Sequence, residues 1–229
     1  MNLGAPILPI ADFNGDGKVD IADLKVLAEY IGQDVNDPTL IAHWALDETE
    51  GTTAADSVGN NHLTVVGNAA WQPAGGKIGG ALAFDGKDNF ASSGSVVLDP
   101  AKGPFSVIAW VKGGTAGRVI VSQQRGADWL YLNQYGMLTT DLKASGRDGK
   151  SLTSSTFMTD DQWHRVVFTW DGTNRVLGAD GVEVAKDTQP NLAASSSNLV
   201  IGAGKDMAPG TFWNGLIDDV RIYDRVVRP

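Results

Sequence analysis

The sequence predicts a mainly β protein, an antiparallel β-sandwich preceded by a short N-terminal loop and helix. After residue 39, short runs rich in Val, Ile, Thr and aromatic residues alternate with Gly, Asn and Asp. This pattern is typical of many short strands joined by tight turns. Val166, Phe168 and Trp170 recur with a period of two, as in a strand with one face on the core. Closer to the N-terminus, apolar residues have helical spacing instead.

The helical segment is short and ends at a chain break. Four apolar residues share one helix face, namely Ile21, Leu24, Leu27 and Ile31. Gly32 follows as a C-cap, and Asn-Asp-Pro at residues 36–38 interrupts the chain. We therefore expect two units, residues 1–38 and residues 39–229.

Many short strands are predicted in the second unit. Nine of them cover residues 41–46, 63–66, 81–84, 105–111, 119–122, 129–135, 163–170, 199–201 and 216–223. Asp-Gly pairs at residues 85–86, 171–172 and 180–181 predict tight turns between strands.

Composition excludes several classes of function. The chain has 229 residues, 27 acidic against 18 basic side chains and a net charge of −9. It has no cluster of Lys and Arg, which argues against nucleic acids and anionic membranes as partners. It has no Cys, so disulfides do not hold the fold together. No apolar run approaches the length of a membrane span, and the N-terminal residues lack a signal-peptide pattern.

Residues 12–23 fit a calcium-binding loop of the EF-hand type. Oxygen ligands stand at loop positions one, three, five, seven and twelve, provided by Asp12, Asn14, Asp16, the Lys18 carbonyl and Asp23. Gly17 supplies the sharp turn at position six, and the predicted helix follows at once. The loop therefore predicts bound Ca²⁺; the alternative is an Asp- and Gly-rich loop without metal.

The closing Asp23, where most EF-hands have Glu, is a feature of one family. With Leu24, Leu27 and Tyr30 at matching places, the loop and helix resemble one repeat of a type I dockerin. Dockerins carry two such repeats, and the sequence holds one. Residues 21–22 are Ile-Ala, where dockerins usually carry Ser or Thr, which argues against cohesin binding.

Six segments of the second unit carry the motifs of another family. They are residues 43–48, 56–62, 79–86, 105–111, 163–166 and 215–225. In this order they resemble the laminin-G-like domains of the concanavalin A-like jelly-roll family. The resemblance implies a jelly-roll sandwich and export as part of a larger secreted bacterial protein, with any export signal outside this chain.

A second calcium site is predicted from an acidic residue on an apolar face. Period-two alternation in residues 216–223 groups Asp218 with three apolar residues of that strand. An unpaired carboxylate there is costly, so Asp218 needs a partner. Asp56 opens a Gly- and Asn-rich loop of the kind that donates oxygen ligands. We therefore predict a structural Ca²⁺ shared by Asp56 and Asp218; the alternative is that Asp218 pairs with an arginine or with backbone N–H groups.

The sequence favours recognition over catalysis. Related hydrolases carry Glu-x-Asp-x-Glu on one strand, and this pattern is absent, as are serine and cysteine nucleophile motifs. The three histidines lack metal-ligand spacing and are predicted to be structural. A glycoside hydrolase or polysaccharide lyase remains the alternative function, and a structural spacer is a third.

A glycan or another cell-surface ligand is the predicted partner. The predicted site is the stretch around the strand at residues 129–135, where aromatic residues lie beside amides and charges: Trp129, Tyr131, Tyr135, Gln123 and Arg125. Same-face spacing of Trp129 and Tyr131 predicts an exposed sugar-stacking platform. Phe212 and Trp213 are a second candidate pair.

Overall fold

The computed structural model describes residues 18–21, 37–145 and 149–229. By its contacts the chain divides between Pro38 and Thr39. The helix predicted over residues 21–31 lies outside the described residues, apart from Ile21. The described residues form sixteen strands. These are β1 (Leu40–Trp44), β2 (Thr53–Ala54), β3 (Leu63–Val66), β4 (Ala70–Gln72), β5 (Ala81–Asp85), β6 (Phe90–Ser93), β7 (Phe105–Gly113), β8 (Val119–Gln123), β9 (Asp128–Leu132), β10 (Met137–Thr140), β11 (Leu152–Phe157), β12 (Trp163–Trp170), β13 (Asn174–Ala179), β14 (Val182–Thr188), β15 (Leu199–Ile201) and β16 (Asn214–Tyr223).

The strands form two antiparallel sheets. The first has the order β14-β13-β12-β7-β16-β5-β4, with β1 also paired to β16. The second has the order β11-β10-β9-β8-β15-β6-β3-β2. Their inner faces share one apolar core. The predicted mainly β, antiparallel sandwich is confirmed.

An aromatic cluster joins the two sheets across this core. Phe105 on β7 contacts Trp129 on β9 of the opposite sheet, with ring centroids 5.6 Å apart. Phe105 also contacts Phe168 and Trp170 of the neighbouring strand β12, at 5.4 and 6.5 Å. Such tilted aromatic pairs each contribute about 0.5–1.5 kcal/mol beyond the area they bury. The prediction that Val166, Phe168 and Trp170 face the core is confirmed.

Strand β16 contains a bulge that its sequence pattern does not reveal. The register against β7 shifts between Asp218 and Arg221, and Asp219 has a φ of 49°. Because a bulge adds one residue to a strand, it reverses which side chains face the core. Ile217 faces the core before the bulge and Val220 faces it afterwards. The prediction that Asp218 shares a face with Val220 is therefore wrong; Asp218 lies on the opposite side from Ile217.

The predicted Asp-Gly turn between β13 and β14 is confirmed. Ala179 pairs with Val182, and the two residues between them, Asp180 and Gly181, have φ angles of 50° and 83°. Two consecutive residues in this left-handed region make the two-residue hairpin turn that matches strand twist, and Asp-Gly is a preferred sequence for it.

Four loops meet at one end of the second sheet. They are residues 94–104 after β6, 124–127 after β8, 141–145 and 149–151 between β10 and β11, and 189–198 before β15. Because neighbouring strands in this sheet are antiparallel, the strand ends that these loops follow or precede all lie at the same end of the sheet. The arrangement therefore brings segments about a hundred residues apart in sequence into one neighbourhood.

Elsewhere, His164 at the start of β12 is held between two carboxylates. Its Nδ1 lies 2.7 Å from Asp180 Oδ2, and its Nε2 lies 2.9 Å from Asp160 Oδ1. Burial lowers the pKa of His164, but the hydrogen bonds to Asp180 and Asp160 outweigh burial and raise the pKa above its ordinary value of 6.5. The imidazolium thus ties the β13–β14 turn to the loop before β12.

We expect this contact to stabilise the fold at acidic but not at alkaline pH. Since the pKa of His164 is raised on folding, its contribution is complete below about pH 6.5 and is lost as the pH rises through the folded-state value. Wild type should exceed His164→Gln in unfolding free energy by up to about 1 kcal/mol near pH 5.5, because both carboxylates are half exposed. The difference should shrink by pH 9.

Urea unfolding at a series of pH values measures this difference. Asp180→Asn removes one of the two carboxylates and should flatten the pH dependence. A difference between wild type and His164→Gln that is constant from pH 5.5 to pH 9 would contradict the assignment.

Candidate ligand-binding site

A cavity of about 290 Å³ opens at the end of the sandwich where the four loops meet. Its wall consists of residues 125–127, 141–144 and 193–195 together with Pro100, Gln123 and Trp129. Alanines 127, 144, 193 and 194 make much of this wall apolar, and the charged and amide side chains are spaced between them. A small apolar cavity with a few polar groups is the usual form of a small-molecule site.

Trp129 connects the cavity to the core. The side chain is fully buried and packs against Phe105. Its indole Nε1 is also buried and has no hydrogen-bond partner among the described residues. Burying a donor without a partner costs about 1–3 kcal/mol. No hydrogen bond within the described residues offsets this cost for the Trp129 N–H.

Gln123 ends β8 and brings a second unpartnered atom to the cavity. Its Nε2 donates to the carbonyl oxygens of Leu98, at 3.2 Å, and Ser197, at 2.9 Å. Both of these oxygens lie in neighbouring loops, so the amide is fixed in one orientation. Its Oε1 is buried and accepts no hydrogen bond within the described part of the chain. One donor, on Trp129, and one acceptor, on Gln123, are therefore left unused on two residues that line this cavity.

The β8–β9 turn presents Arg125 at the cavity. The Gln123 N–H donates to the Ala127 carbonyl at 2.9 Å, which closes the turn, and the Arg125 N–H donates to the Lys205 carbonyl at 2.8 Å. Arg125 has a φ of 58°, so the turn holds it in the left-handed region that non-glycine residues seldom occupy. The side chain is exposed, and within the described residues its guanidinium has neither an ion pair nor a hydrogen bond.

Asp141 is the carboxylate of the cavity wall, and its Oδ1 already accepts hydrogen bonds from within the protein. Tyr131 donates to Asp141 Oδ1 at 3.3 Å, Ser151 donates to the same oxygen, and Lys143 Nζ lies 3.9 Å away. Burial and the nearby Asp141 charge raise the pKa of Tyr131, so the phenol remains a donor. These contacts fix the base of the β10–β11 loop.

Arg175 braces this loop from the opposite sheet. It is fully buried on β13, and its guanidinium donates to the carbonyl oxygens of Leu142 and Lys150 at the two ends of the loop. Asp187 on β14 accepts from Arg175 Nε at 2.9 Å and from a second guanidinium nitrogen. A bidentate carboxylate and two carbonyls satisfy most of the guanidinium, which is the condition for burying it.

The structure brings together part of the predicted ligand site. Gln123, Arg125 and Trp129 line the cavity, and Tyr131 is linked to it through Asp141. Tyr135 is 65% exposed but lies in the β9–β10 turn, at the far end of β9. At 3.3 Å per residue, that end is roughly 16 Å from the β8–β9 turn.

The predicted exposed platform is wrong. Trp129 cannot offer an exposed face, because it is buried between the sheets. The β8–β9 pairing has register shifts at Val121, and the strand directs the indole inward while Tyr131 remains half-buried. The second candidate pair, Phe212 and Trp213, is also buried.

The predicted calcium ligands lie in two places. Asp12, Asn14, Asp16 and Asp23 lie outside the described residues, and Lys18 is exposed. In the sandwich, Asp56 Oδ1 accepts from the amides of His43, at 3.0 Å, and Val58, at 3.1 Å, while Oδ2 accepts from the amide of Asn61 at 3.0 Å. Burial raises the pKa of Asp56, but these amides outweigh burial and lower it. N–H donors thus occupy the oxygens that a cation would need.

Asp218 has a different environment. Its Oδ2 accepts from the amides of Lys77, at 2.7 Å, and Ile78, at 2.9 Å, which is the backbone alternative considered for this residue. Its Oδ1 is buried without a partner in the described ranges, and burial raises the pKa of Asp218 to about 6. No group of three or more His, Asp or Glu side chains in those ranges is placed to hold a metal. The described geometry therefore does not fit a Ca²⁺ shared with Asp56, which stays a prediction.

A series of hydrogen bonds through His43 has the order Ser, His, Asp that is also found in catalytic triads. Ser57 Oγ lies 2.8 Å from His43 Nδ1, and His43 Nε2 lies 2.8 Å from Asp219 Oδ1. Arg221 also donates to this oxygen, at 2.9 Å. Acyl transfer needs free N–H donors for the oxyanion, whereas amides of the loop after Ser57 donate to Asp56. We assign these hydrogen bonds a structural role, because they link His43 on β1 to Asp219 on β16.

Comparison with known proteins identifies the family. A laminin-G-type model of the concanavalin A-like lectin/glucanases superfamily matches residues 84–229. The chain belongs to this superfamily. The match does not include the N-terminal residues, so the dockerin-like repeat stays a prediction. No curated protein sequence is significantly similar to the chain.

Several solved structures share this concanavalin A-like fold. Domain 4 of AbnA, a GH43 extracellular arabinanase from Geobacillus stearothermophilus in complex with arabinotriose, is 22% identical, with a TM-score of 0.64 over 83% of this chain and 95% of that one. The ligand-binding domain of botulinum neurotoxin serotype D with N-acetylneuraminic acid is 16% identical, with a TM-score of 0.60 over 82% of this chain and 48% of that one. Trypanosoma rangeli sialidase is 14% identical, with a TM-score of 0.59 over 91% of this chain and 38% of that one.

The chain thus spans nearly all of the arabinanase domain but about half, or less, of the other two structures. Among the described residues, no helix is long and apolar enough to cross a membrane.

We expect removal of Arg175 to loosen the cavity wall and destabilise the fold. Arg175→Met keeps the length of the side chain but leaves two loop carbonyls and Asp187 without their donor. Breaking a buried ion pair by removing one partner costs about 3–5 kcal/mol. Because Asp187 is 35% exposed, we expect the free energy of unfolding in urea to fall by an amount near the lower end of this range. Arg228→Met, at an exposed arginine, is the control and should change stability by less than about 0.5 kcal/mol. Equal stability of the two variants would contradict the bracing role.

Proposed function

We propose that this chain is a non-catalytic carbohydrate-binding module and that the cavity beside Trp129 is its sugar site. The observation that carries the proposal is that two residues lining one small cavity each bury an unpartnered polar atom, a donor on Trp129 and an acceptor on Gln123. A sugar hydroxyl donates and accepts at once, so one hydroxyl group, or two neighbouring ones, can complete both atoms.

The rest of the wall suits the other face of a sugar. Ala127, Ala193 and Ala194 offer small apolar contacts for ring C–H groups, and the Asp141 and Ser195 side chains add polar edges. The cavity volume of about 290 Å³ lies at the lower end of the range for small-molecule sites, about 300–1,000 Å³. This size favours one or two sugar units at a chain end or side branch over a long polysaccharide segment.

The composition of the wall favours binding over hydrolysis. Glycoside hydrolysis needs two carboxyl groups, about 5–5.5 Å apart in retaining enzymes and about 6.5–9.5 Å apart in inverting ones. Among the described residues that line the cavity, Asp141 is the one carboxylate, and it is engaged by Tyr131 and Ser151. We therefore propose recognition without turnover.

Structural neighbours support the same proposal. The arabinanase domain was solved with arabinotriose and the neurotoxin domain with N-acetylneuraminic acid. Both share the fold of this chain at low sequence identity. Because the arabinanase is extracellular, we further propose that this chain belongs to a secreted protein.

The decisive test replaces the unpartnered indole N–H. Trp129→Phe keeps an aromatic ring on Phe105 but removes the donor. On a glycan microarray, followed by titration calorimetry with the best-bound oligosaccharide, we expect about tenfold weaker binding, because a lost hydrogen bond to a sugar is worth about 1–1.5 kcal/mol.

Trp213 provides a matched control. Its indole is also fully buried and its Nε1 also lacks a partner in the described structure, but it does not line the cavity. Trp213→Phe should therefore leave glycan binding unchanged. Equal effects of the two variants would show that the indole acts through stability, and wild-type protein that binds no glycan on the array would overturn the proposal.

We also propose, on the sequence alone, that residues 12–23 bind one Ca²⁺. The supporting observation is an oxygen ligand at every required loop position. Extracellular EF-type modules work with dissociation constants of about 10⁻⁴–10⁻³ M. The ion would then be bound in a calcium-rich external medium.

Calorimetric titration of the full chain with CaCl₂ tests this site against the sandwich site. We expect one Ca²⁺ to bind to wild type, binding to be abolished in the double variant Asp12→Ala/Asp16→Ala, and binding to persist in Asp218→Asn. Loss of binding in Asp218→Asn with retention in the double variant would place calcium in the sandwich instead. Absence of binding in wild type would remove calcium from both places.

A further inference from the structure

The charged side chains at the cavity indicate which class of sugar binds there, an inference that rests on the proposed function. Two cations, Arg125 and Lys143, line the cavity together with one carboxylate, Asp141. The side chains that line the cavity therefore carry one more positive than negative charge, whereas the whole chain has a net charge of −9. A positive pocket on an acidic protein is selective for the sign of its ligand, because the remaining surface attracts cations and not anions.

Arg125 is the cation of the cavity that forms no direct ion pair within the described residues. Lys143 has Asp141 as a neighbour, at 3.9 Å. Asp141 is further occupied by hydroxyl donors from Tyr131 and Ser151. The Arg125 guanidinium, by contrast, contacts no acceptor in the described ranges. Two further carboxylates bond to neighbouring residues, Asp99 to Ser195 of the cavity wall and Asp128 to Lys205, whose carbonyl accepts from Arg125.

The turn presents Arg125 in a fixed position. Its own amide is bonded to the Lys205 carbonyl and its φ is 58°, so the backbone cannot relax without breaking that bond. A guanidinium is a planar fork that matches the two oxygens of a carboxylate, which makes a carboxylate the fitting partner at this place. Trp129 and Gln123 meanwhile offer a donor and an acceptor for hydroxyl groups at the same cavity.

We propose that the ligand of this cavity is an acidic sugar, in which a ring carboxylate binds Arg125 while neighbouring hydroxyls bind Trp129 and Gln123. Uronic acids and sialic acids share this chemistry: one carboxylate on a ring that carries hydroxyls. Lys143 lies on the same wall and adds long-range attraction. The site thus discriminates between acidic and neutral sugars mainly through a single residue of the β8–β9 turn.

The experiment compares acidic oligosaccharides with their methyl esters. Trigalacturonate, an alginate trimer and sialyllactose are titrated into wild type by calorimetry, each beside its carboxyl-methylated form, which keeps the hydroxyls and removes the charge. We expect binding of at least one acid, at least tenfold weaker binding of its ester, and affinity for the acid that falls with added NaCl.

Variants of the turn locate the effect. Arg125→Gln should weaken binding of the acid about tenfold and leave binding of the ester unchanged, and Arg125→Lys, which keeps the charge without the fork, should fall between Arg125→Gln and wild type. Arg228→Gln, at an exposed arginine away from the cavity, should bind as wild type does.

The outcomes separate this inference from the proposed function. Equal binding of acid and ester, or binding of neutral glycans alone on the array, would overturn the acidic-sugar assignment and leave the carbohydrate-binding module intact. Acid binding that Arg125→Gln does not weaken would overturn the role of Arg125. Failure of every glycan, acidic or neutral, to bind would overturn both proposals.

Discussion

The packing of Trp129 against Phe105 is the contact on which the rest of this molecule depends. It joins the two sheets at the centre of the core, and the same indole forms part of the cavity wall. Protein interiors are close-packed, so a side chain buried in this way has one position. The part of the cavity wall that Trp129 forms is therefore as rigid as the core. A ligand that binds a rigid wall orders few side chains and loses little affinity to their conformational entropy.

The loops around Trp129 are positioned by polar contacts that reach across the sandwich. Arg175 from the first sheet holds the two ends of the loop after β10, and Gln123 bonds to carbonyls in two further loops. Each of these side chains is buried, and each would be costly to bury if its polar atoms were free. The contacts offset that cost by fixing loops that would otherwise be free to move. Gln123 is the informative exception, because it leaves its Oε1 unpaired at the cavity.

The sequence predicts the strands better than the site, and the reason is the range of the interactions. β12 and the Asp180–Gly181 turn follow from alternation and local backbone preference, which act within a few residues. The bulge at Asp219 cannot be predicted in this way, because the alternation of apolar and polar residues in 216–223 continues across it. Gln123, Arg125 and Trp129 stand close together in sequence and can be grouped by composition. Arg175 holds the loop that carries Asp141 and Leu142, and the alanines at 193–194 line the cavity. These residues lie about 50–70 positions further along the chain, a separation that no local pattern encodes.

Unpartnered polar atoms do not by themselves mark a site in this chain. Asn89, Trp213 and Asp218 each bury one such atom away from the cavity, so the folded state tolerates several of them. What distinguishes the Trp129 cavity is that two of its lining residues bury such atoms, of opposite hydrogen-bonding type, and that a third, Arg125, is a cation without a direct ion pair in the described residues. The net charge of −9 adds a condition, because at physiological ionic strength fields fade over about 8 Å. Beyond that distance an anionic glycan meets little repulsion, and within it the nearest charge dominates. Arg125 is the lining cation without a direct ion pair, so a local contact can select an anion on a protein of negative net charge.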